Sequence, residues 1–244
     1  MGNITVGPYD LEYNVSYSRR RTVRIRLADP GRLEVSAPAR MPRAEIESLL
    51  RSKEAWIVRQ VAKLAAVAAS PLNARVEPGA ELLFLGEARR LTVLAAAGVR
   101  PGVRLEGNRL FVQLPVLPAA EQAAALAGTL RAWYVAAARL ELELRTARWA
   151  ERLQVRPQRL FIREQKSRWG SCSSRGNINY NWRAVMAPPA VLDYLVVHEL
   201  CHLKVPNHSA AFWTLVAKAV PDYKEHRRWL RDSGQLLMRL LAED

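Results

Sequence analysis

The sequence predicts an α+β fold in which β-rich and helical stretches follow one another along the chain. Near the N-terminus, apolar and polar residues alternate in residues 13–17 and 22–27, which is the period of a strand with one buried face. From Pro42 to about Val67 the apolar residues fall at helical spacing, and a second β-rich stretch covers roughly residues 81–114. We therefore expect a β-rich N-terminal region with one helix, residues 1–117, and a separate domain over residues 118–244.

The second domain is expected to begin with a long helix and to end with three shorter ones. Pro118 opens an Ala- and Leu-rich stretch that reaches about Leu153. A strand is predicted over residues 177–183, and Pro188-Pro189 begins a helix that should end near Val205, because Pro206 cannot continue it. Further helices are predicted from about residue 207 and over residues 222–241. No internal repeat is visible in the sequence.

The composition describes a globular, strongly basic chain. Half of the 244 residues are apolar, which is enough for a core without disulfides. The formal net charge of +14 would attract polyanions, so binding of nucleic acid through a basic surface is one expectation. However, 31 of the 37 basic residues are Arg, and a coding bias alone can produce this pattern.

Two cysteines, Cys172 and Cys201, are too few for a disulfide framework and match no zinc-finger spacing. The N-terminus shows no signal peptide, and no run of about 18 apolar residues predicts a membrane span. The sequence therefore predicts a cytoplasmic protein that does not enter a membrane.

The segment His198-Glu199-Leu200-Cys201-His202 is typical of a metal site on a helix. Histidines four residues apart project from the same helix face, so both imidazoles can bind one zinc ion. Glu199 points in a different direction and can accept a proton from a water that the metal activates. Three of the four histidines in the chain lie between residues 198 and 208, which strengthens the prediction.

A catalytic zinc usually has three protein ligands and one open position. His208, just beyond the break at Pro206, is the candidate for the third ligand. Glu225 and His226 are less suitable, because they lie on a later helix with a mostly charged surface. Cys201 would crowd the two histidines, and we expect it to be a buried neighbour.

Several motifs between Lys166 and Trp213 extend this pattern: RWGSC, a Gly-x-Ile strand, Tyr194, HELCH and NHSAAFW. Together they resemble the YgjP-like metallopeptidases, relatives of the SprT-like group within the zincin superfamily. The N-terminal half is similar to that family only in its general layout.

The resemblance implies that His198, His202 and His208 bind zinc and that Glu199 is catalytic. It also implies a zincin-like C-terminal metallopeptidase domain, with the active-site helix beside a small mixed sheet, and protein or peptide substrates.

Tyr180, Tyr194 and Arg168 are candidates for stabilising the oxyanion, although packing explains each of them as well. The aromatic residues Trp169, Trp182, Phe212 and Trp213 are expected in the core.

Other functions stay open at this stage. The strand over residues 177–183 is a candidate sheet edge for binding an extended substrate. The SprT-like resemblance and the basic charge together fit a DNA-associated protease. A nucleic-acid- or partner-binding module with structural zinc is a second alternative, and a zinc hydrolase that cuts another bond is a third.

Overall fold

Three small sheets and six α-helices make up the part of the chain that the computed structural model describes, residues 1–29, 31–68, 76–165, 168–238 and 240–241. The chain divides into two units, Met1–Asn73 and Ala74–Asp244. Each unit has its own cluster of buried apolar side chains. The division falls between residues 73 and 74, whereas the sequence placed the domain boundary between residues 117 and 118.

The first unit is a four-stranded sheet covered on one face by two helices. The strands are β1 (Gly2–Val6), β2 (Tyr9–Ser18), β3 (Arg24–Asp29) and β4 (Arg32–Pro38), in the spatial order β1-β2-β4-β3, and only β2 and β4 pair in parallel. The predicted single helix after Pro42 is divided at Lys53, whose backbone leaves the helical conformation, into α1 (Arg43–Ser52) and α2 (Glu54–Ala68).

The second unit begins with a sheet of the same topology. Its strands are β5 (Glu81–Phe84), β6 (Glu87–Ala96), β7 (Gly102–Glu106) and β8 (Arg109–Pro115), in the order β5-β6-β8-β7, and again only the central pair is parallel. The 35-residue helix α3 (Ala119–Leu153) follows, within the bounds that the sequence predicted. It buries every fourth residue from Leu126 to Ala150, which is the ridge of one helix face.

The two sheets are an internal repeat that the sequence inspection missed. Residues 32–38 read RLEVSAP and residues 109–115 read RLFVQLP, and these segments are the equivalent strands β4 and β8. Five inward-facing positions correspond across the repeat, with a spacing of 77 or 78 residues: Ile4 and Leu82, Tyr13 and Leu91, Leu33 and Leu110, Val35 and Val112, Ala37 and Leu114. The repeat is hard to see in the sequence because most exposed residues differ between the two copies. What the copies share is mainly the apolar residues at alternate, inward-facing positions of the strands.

The rest of the second unit is a three-stranded sheet and three helices. The strands are β9 (Arg159–Arg163), β10 (Gly170–Cys172) and β11 (Asn177–Asn181), and the helices are α4 (Pro189–Cys201), α5 (Ala210–Ala219) and α6 (Tyr223–Leu237). The order is β10-β11-β9, with β11 antiparallel to β10 and parallel to β9. The sheet is therefore mixed, as expected for an α+β fold.

One prediction about this sheet is wrong. The strand proposed as a substrate-binding edge is β11, which is hydrogen-bonded on both sides and has no free edge. It also ends at Asn181, because the side chain of Asn181 accepts a hydrogen bond from the backbone nitrogen of Arg183 (3.1 Å) and starts a short 3-10 helix, Trp182–Met186. The edge strand on this side is β10.

None of the helices in the described ranges is both long enough and apolar enough to cross a membrane.

Candidate metal centre

Helix α4 places the HELCH segment at its C-terminal end. Pro189 occupies the first turn, where the missing N–H costs nothing, so the helix begins where the sequence predicts. The helix is buried on nearly all sides, and it is therefore a central element of the second unit. It ends at Cys201, and a further turn, closed by a hydrogen bond from Val205 N to Cys201 O (3.0 Å), carries the chain to Pro206.

Three histidine side chains meet beside this helix end. His198, His202 and His208 each offer a ring nitrogen, and the three atoms lie within 4.8 Å of one another. The Nε2 atoms of His198 and His208 are 3.1 Å apart. His208 reaches the pair from a turn before α5, in which the side chain of Asn207 accepts a hydrogen bond from Ser209 N (3.2 Å). The structure thus brings together all three histidines predicted as ligands.

The hydrogen bonds and surroundings keep these rings available as ligands. His202 Nδ1 donates to the carbonyl oxygen of Val205 (3.2 Å), which leaves its Nε2 as the unprotonated nitrogen. Burial, followed by the influence of His202 and His208, lowers the pKa of His198 to about 3. Burial also lowers the pKa of His202. Neutral imidazole is the form that binds a metal, so both effects favour coordination.

Two aromatic residues of α5 hold the histidine rings in place. Phe212 is fully buried, and its ring centroid lies 5.0 Å from that of His198, 4.5 Å from His202 and 4.9 Å from His208. Trp213 stacks on His208, with centroids 5.6 Å apart and planes at 22°. His208 is exposed, so this stacking restricts a side chain that would otherwise be free to rotate. The sequence predicted Phe212 correctly as core but did not show that both rings pack against the candidate metal ligands.

Glu199 lies on the side of α4 that faces strand β10. Its side chain is buried, and burial raises the pKa of the carboxyl to about 8. A cation bound by the neighbouring histidines would lower this pKa again by attraction. A Cβ built on Gly170 of β10 would stand 2.6 Å from Glu199 Oε1, so this glycine leaves the space that the carboxyl occupies. Gly170 lies within the RWGSC motif, and nothing in the sequence alone indicated this steric role.

The three candidates for oxyanion stabilisation lie in different surroundings. Tyr180 is fully buried, and its hydroxyl lies 3.2 Å from that of Thr146 in the core, so it cannot contact a substrate. Arg168 is exposed beside β10. Tyr194 is nearest to the cluster, because its ring meets that of His198 edge-on with centroids 5.8 Å apart. Burial raises the pKa of Tyr194 to about 12, so its hydroxyl stays protonated and able to donate a hydrogen bond.

The weaker ligand candidates stay outside the cluster. His226 forms an ion-pair contact with Asp222 (3.1 Å), and Glu225 is exposed on α6. Cys201 is buried, as expected, and does not join the histidines. Lys166 and Ser167, which begin the motif-rich stretch of the sequence, lie outside the described residues.

Comparison with known proteins gives one positive result. Residues 21–233 match the family model of the YgjP-like metallopeptidase domain, and this range includes most of the chain and the whole histidine cluster. No curated protein and no solved structure shows a significant match to the chain.

Proposed function

The chain belongs to the YgjP-like metallopeptidase family, and from this premise we propose that it is a zinc-dependent peptidase with a zincin-like catalytic domain. The observation that carries the proposal is that the nitrogens of three histidines converge beside Glu199, a buried glutamate on the helix that also carries His198. A metallopeptidase requires a metal, and this cluster has the residue types that zinc prefers.

The dimensions of the cluster support zinc as the metal. Zinc–nitrogen bonds of about 2.0–2.1 Å with tetrahedral geometry place two ligand nitrogens roughly 3.3 Å apart. The 3.1 Å between the Nε2 atoms of His198 and His208 is close to this value, and the ligand nitrogens of all three histidines lie within 4.8 Å of one another. Among the described residues, no fourth Cys, His or carboxylate joins the three histidines. A structural zinc site would need that fourth ligand, so the cluster favours catalysis.

The roles of the protein groups follow from their positions. When bound, zinc would supply Lewis-acid polarisation of the scissile carbonyl and acidify a water molecule. Glu199 would take the proton of the attacking water and later give it to the leaving amine. Its burial strengthens the first transfer, because a carboxylate in an apolar site takes up a proton more readily than one in water. Tyr194 would donate a hydrogen bond to the oxyanion.

Strand β10 offers a place for the substrate backbone. It is one of the two outer strands of the three-stranded sheet, and its Gly170 is in contact range of Glu199. An extended peptide that adds to this edge would run past the catalytic carboxyl, and main-chain hydrogen bonds would hold it without regard to sequence. Proteins and peptides are therefore the substrates that we propose.

Two variants test the proposal together. Glu199→Gln should keep about one zinc per chain and lose peptide hydrolysis by at least ~100-fold, because general base catalysis contributes about that much. His208→Ala should instead lose zinc during dialysis against a weak chelator. Metal content by atomic spectroscopy and hydrolysis of a peptide library are the measurements. Retained hydrolysis in Glu199→Gln, or unchanged zinc retention in His208→Ala, would refute the assigned roles.

A further inference from the structure

An arginine of helix α6 lies one aromatic ring away from the metal ligands. The guanidinium carbon of Arg227 is 4.7 Å from the centre of the Trp213 ring. Trp213 in turn stacks on His208, and its centroid is 5.9 Å from that of His198. Tyr223, one turn before Arg227, stacks on the same tryptophan at 5.3 Å and 18°. The aromatic contacts therefore fix α6, and with it Arg227, against the candidate site.

The charge of Arg227 reaches the groups of the site. Burial is the main cause of both pKa shifts, raising the pKa of Tyr194 and lowering that of His198. The positive charge of Arg227 acts on both groups, opposing the rise at Tyr194 and adding to the fall at His198. In salt solution the interaction between two charges becomes weak beyond about 10 Å. Since Arg227 acts on Tyr194 and His198, its charge also contributes to the electrostatic field at the position where a substrate would bind. A negative group arriving beside Trp213 would be attracted.

Arg227 makes no ion pair with another residue of the described ranges, although it lies close to acidic side chains on the same helix. Asp222 contacts His226 instead, and Asp232 pairs with Arg231 at 3.0 Å. Because the sequence has 37 basic and only 23 acidic residues, not every arginine can have a carboxylate of its own. What distinguishes Arg227 is its position, because it combines proximity to the metal ligands with an aromatic ring that restricts its side chain.

A guanidinium held over an aromatic ring keeps its N–H edge free for a planar anion. Arginine binds carboxylates through two parallel hydrogen bonds, and little side-chain entropy is lost when the group is already ordered. Resting on the function proposed above, we propose that Arg227 binds a carboxylate of the peptide substrate and gives the enzyme a preference for acidic peptides. The carboxylate comes either from an acidic side chain near the cleaved bond or from the C-terminus of the peptide.

Four matched peptides distinguish these sources. A defined peptide library first identifies a sequence that the zinc-loaded wild-type protein cleaves. That sequence is then made with Glu or Gln beside the cleaved bond, each with a free or an amidated C-terminus. For one of the two carboxylates, the wild-type protein should cleave the peptide that carries it with a kcat/KM about 10- to 100-fold higher than the peptide that lacks it. This is the range expected for a hydrogen-bonded charge pair. A Glu-over-Gln preference identifies the side chain, and a free-over-amidated preference identifies the C-terminus.

The variants assign the preference to Arg227. Arg227→Gln should remove it, mainly through a higher KM for the carboxylate form, while zinc content and thermal unfolding stay as in wild type. Arg227→Glu should reverse the preference, toward Lys in place of Glu if the side chain is the source and toward the amidated peptide if the C-terminus is, which a purely structural role would not produce. Arg228→Gln is the matched control, an exposed neighbour on the same helix, and should retain the wild-type preference.

The outcomes separate this inference from the proposed function. Cleavage by wild type without any carboxylate preference, or a preference that survives in Arg227→Gln, would overturn the role of Arg227 and leave the peptidase assignment intact. If the zinc-loaded wild-type protein cleaves no peptide of the library, the proposed function fails, and the inference fails with it.

Discussion

At Gly170, the absence of a side chain decides where the candidate catalytic carboxyl can lie. A Cβ at this position would stand 2.6 Å from Glu199 Oε1 and 2.9 Å from both Cδ and Cγ, all closer than real Cβ contacts. Gly170 pairs with Tyr180 in the sheet, so its backbone cannot move away without disturbing a buried residue. The glutamate would have to move instead.

Gly170→Ala should therefore lower peptide hydrolysis by at least ~10-fold while zinc binding stays intact, because a small displacement of a catalytic group costs that much or more. Steady-state kinetics and metal content measure the two effects. Gly128→Ala is the control, since a Cβ there meets no atom within 4 Å. It lies inside helix α3 and should stabilise the protein by up to about 1 kcal/mol with unchanged activity. Full activity of Gly170→Ala would contradict the steric role.

Local spacing in the sequence was enough to predict the histidines, because a helix fixes the direction of residues four apart. His208 was predictable as well, from the break at Pro206. Gly170, Trp213 and Arg227 were not, since their roles depend on β10, α5 and α6 packing around α4. Contacts between segments that are far apart in the chain produce no periodic pattern of residues in the sequence.

At the scale of elements, a partly buried ion pair joins three segments of the second unit. The Arg183 side chain in the 3-10 helix is almost fully buried and donates to Glu164, just after β9, at 2.7 Å and to the carbonyl oxygen of Leu240 at 2.8 Å. Partial burial opposes the ionisation of Glu164. The hydrogen bonds and charges of Arg183 and Arg131 outweigh that effect, so the pKa of Glu164 lies below its usual value.

Glu164→Gln should lower the free energy of unfolding by about 1–2 kcal/mol at neutral pH, because the buried guanidinium of Arg183 loses its counter-charge while water at the accessible Glu164 position replaces part of it. A carboxyl with a lowered pKa stabilises the fold above its unfolded-state pKa, and this contribution is lost as the pH falls through the folded-state pKa. The difference between variant and wild type should thus shrink in acid. Urea unfolding at several pH values measures it. Glu143→Gln, which removes an exposed pair with Arg139, should cost at most ~0.5 kcal/mol.

The elements also show which features of the fold a single sequence reveals. Strands and helices with a regular apolar period were predicted, including the start of α4 at Pro189 and the full span of α3. The sequence did not predict which strand lies in the centre of the three-stranded sheet, because strand order depends on pairing between segments that are far apart in the chain. The internal repeat was also missed, since it survives mainly in the inward-facing positions of the two four-stranded sheets.

For the whole molecule, the repeat explains why the chain divides near residue 73. Each four-stranded sheet needs a helix to cover its apolar face: α1 and α2 serve the first sheet, and α3 serves the second. In the second unit, α3 has a further role, because its buried residues share one core with β8 and with helix α4. The second sheet therefore supports the same helix that carries the candidate metal site.

Two truncated chains test this organisation. A chain that begins at Ala74 keeps the second core whole, so it should unfold cooperatively and bind about one zinc per chain. A chain that begins at Ala119 lacks β5–β8, which leaves one side of α3 uncovered and removes five buried side chains of the core: Leu82, Leu91, Leu110, Val112 and Leu114. Deleting buried leucines costs about 2–5 kcal/mol each, so the loss should exceed the stability of a typical domain. Circular dichroism melting and zinc retention distinguish the two chains. Cooperative folding with zinc bound in the shorter chain would place the boundary of the catalytic unit near residue 118, as the sequence alone predicted.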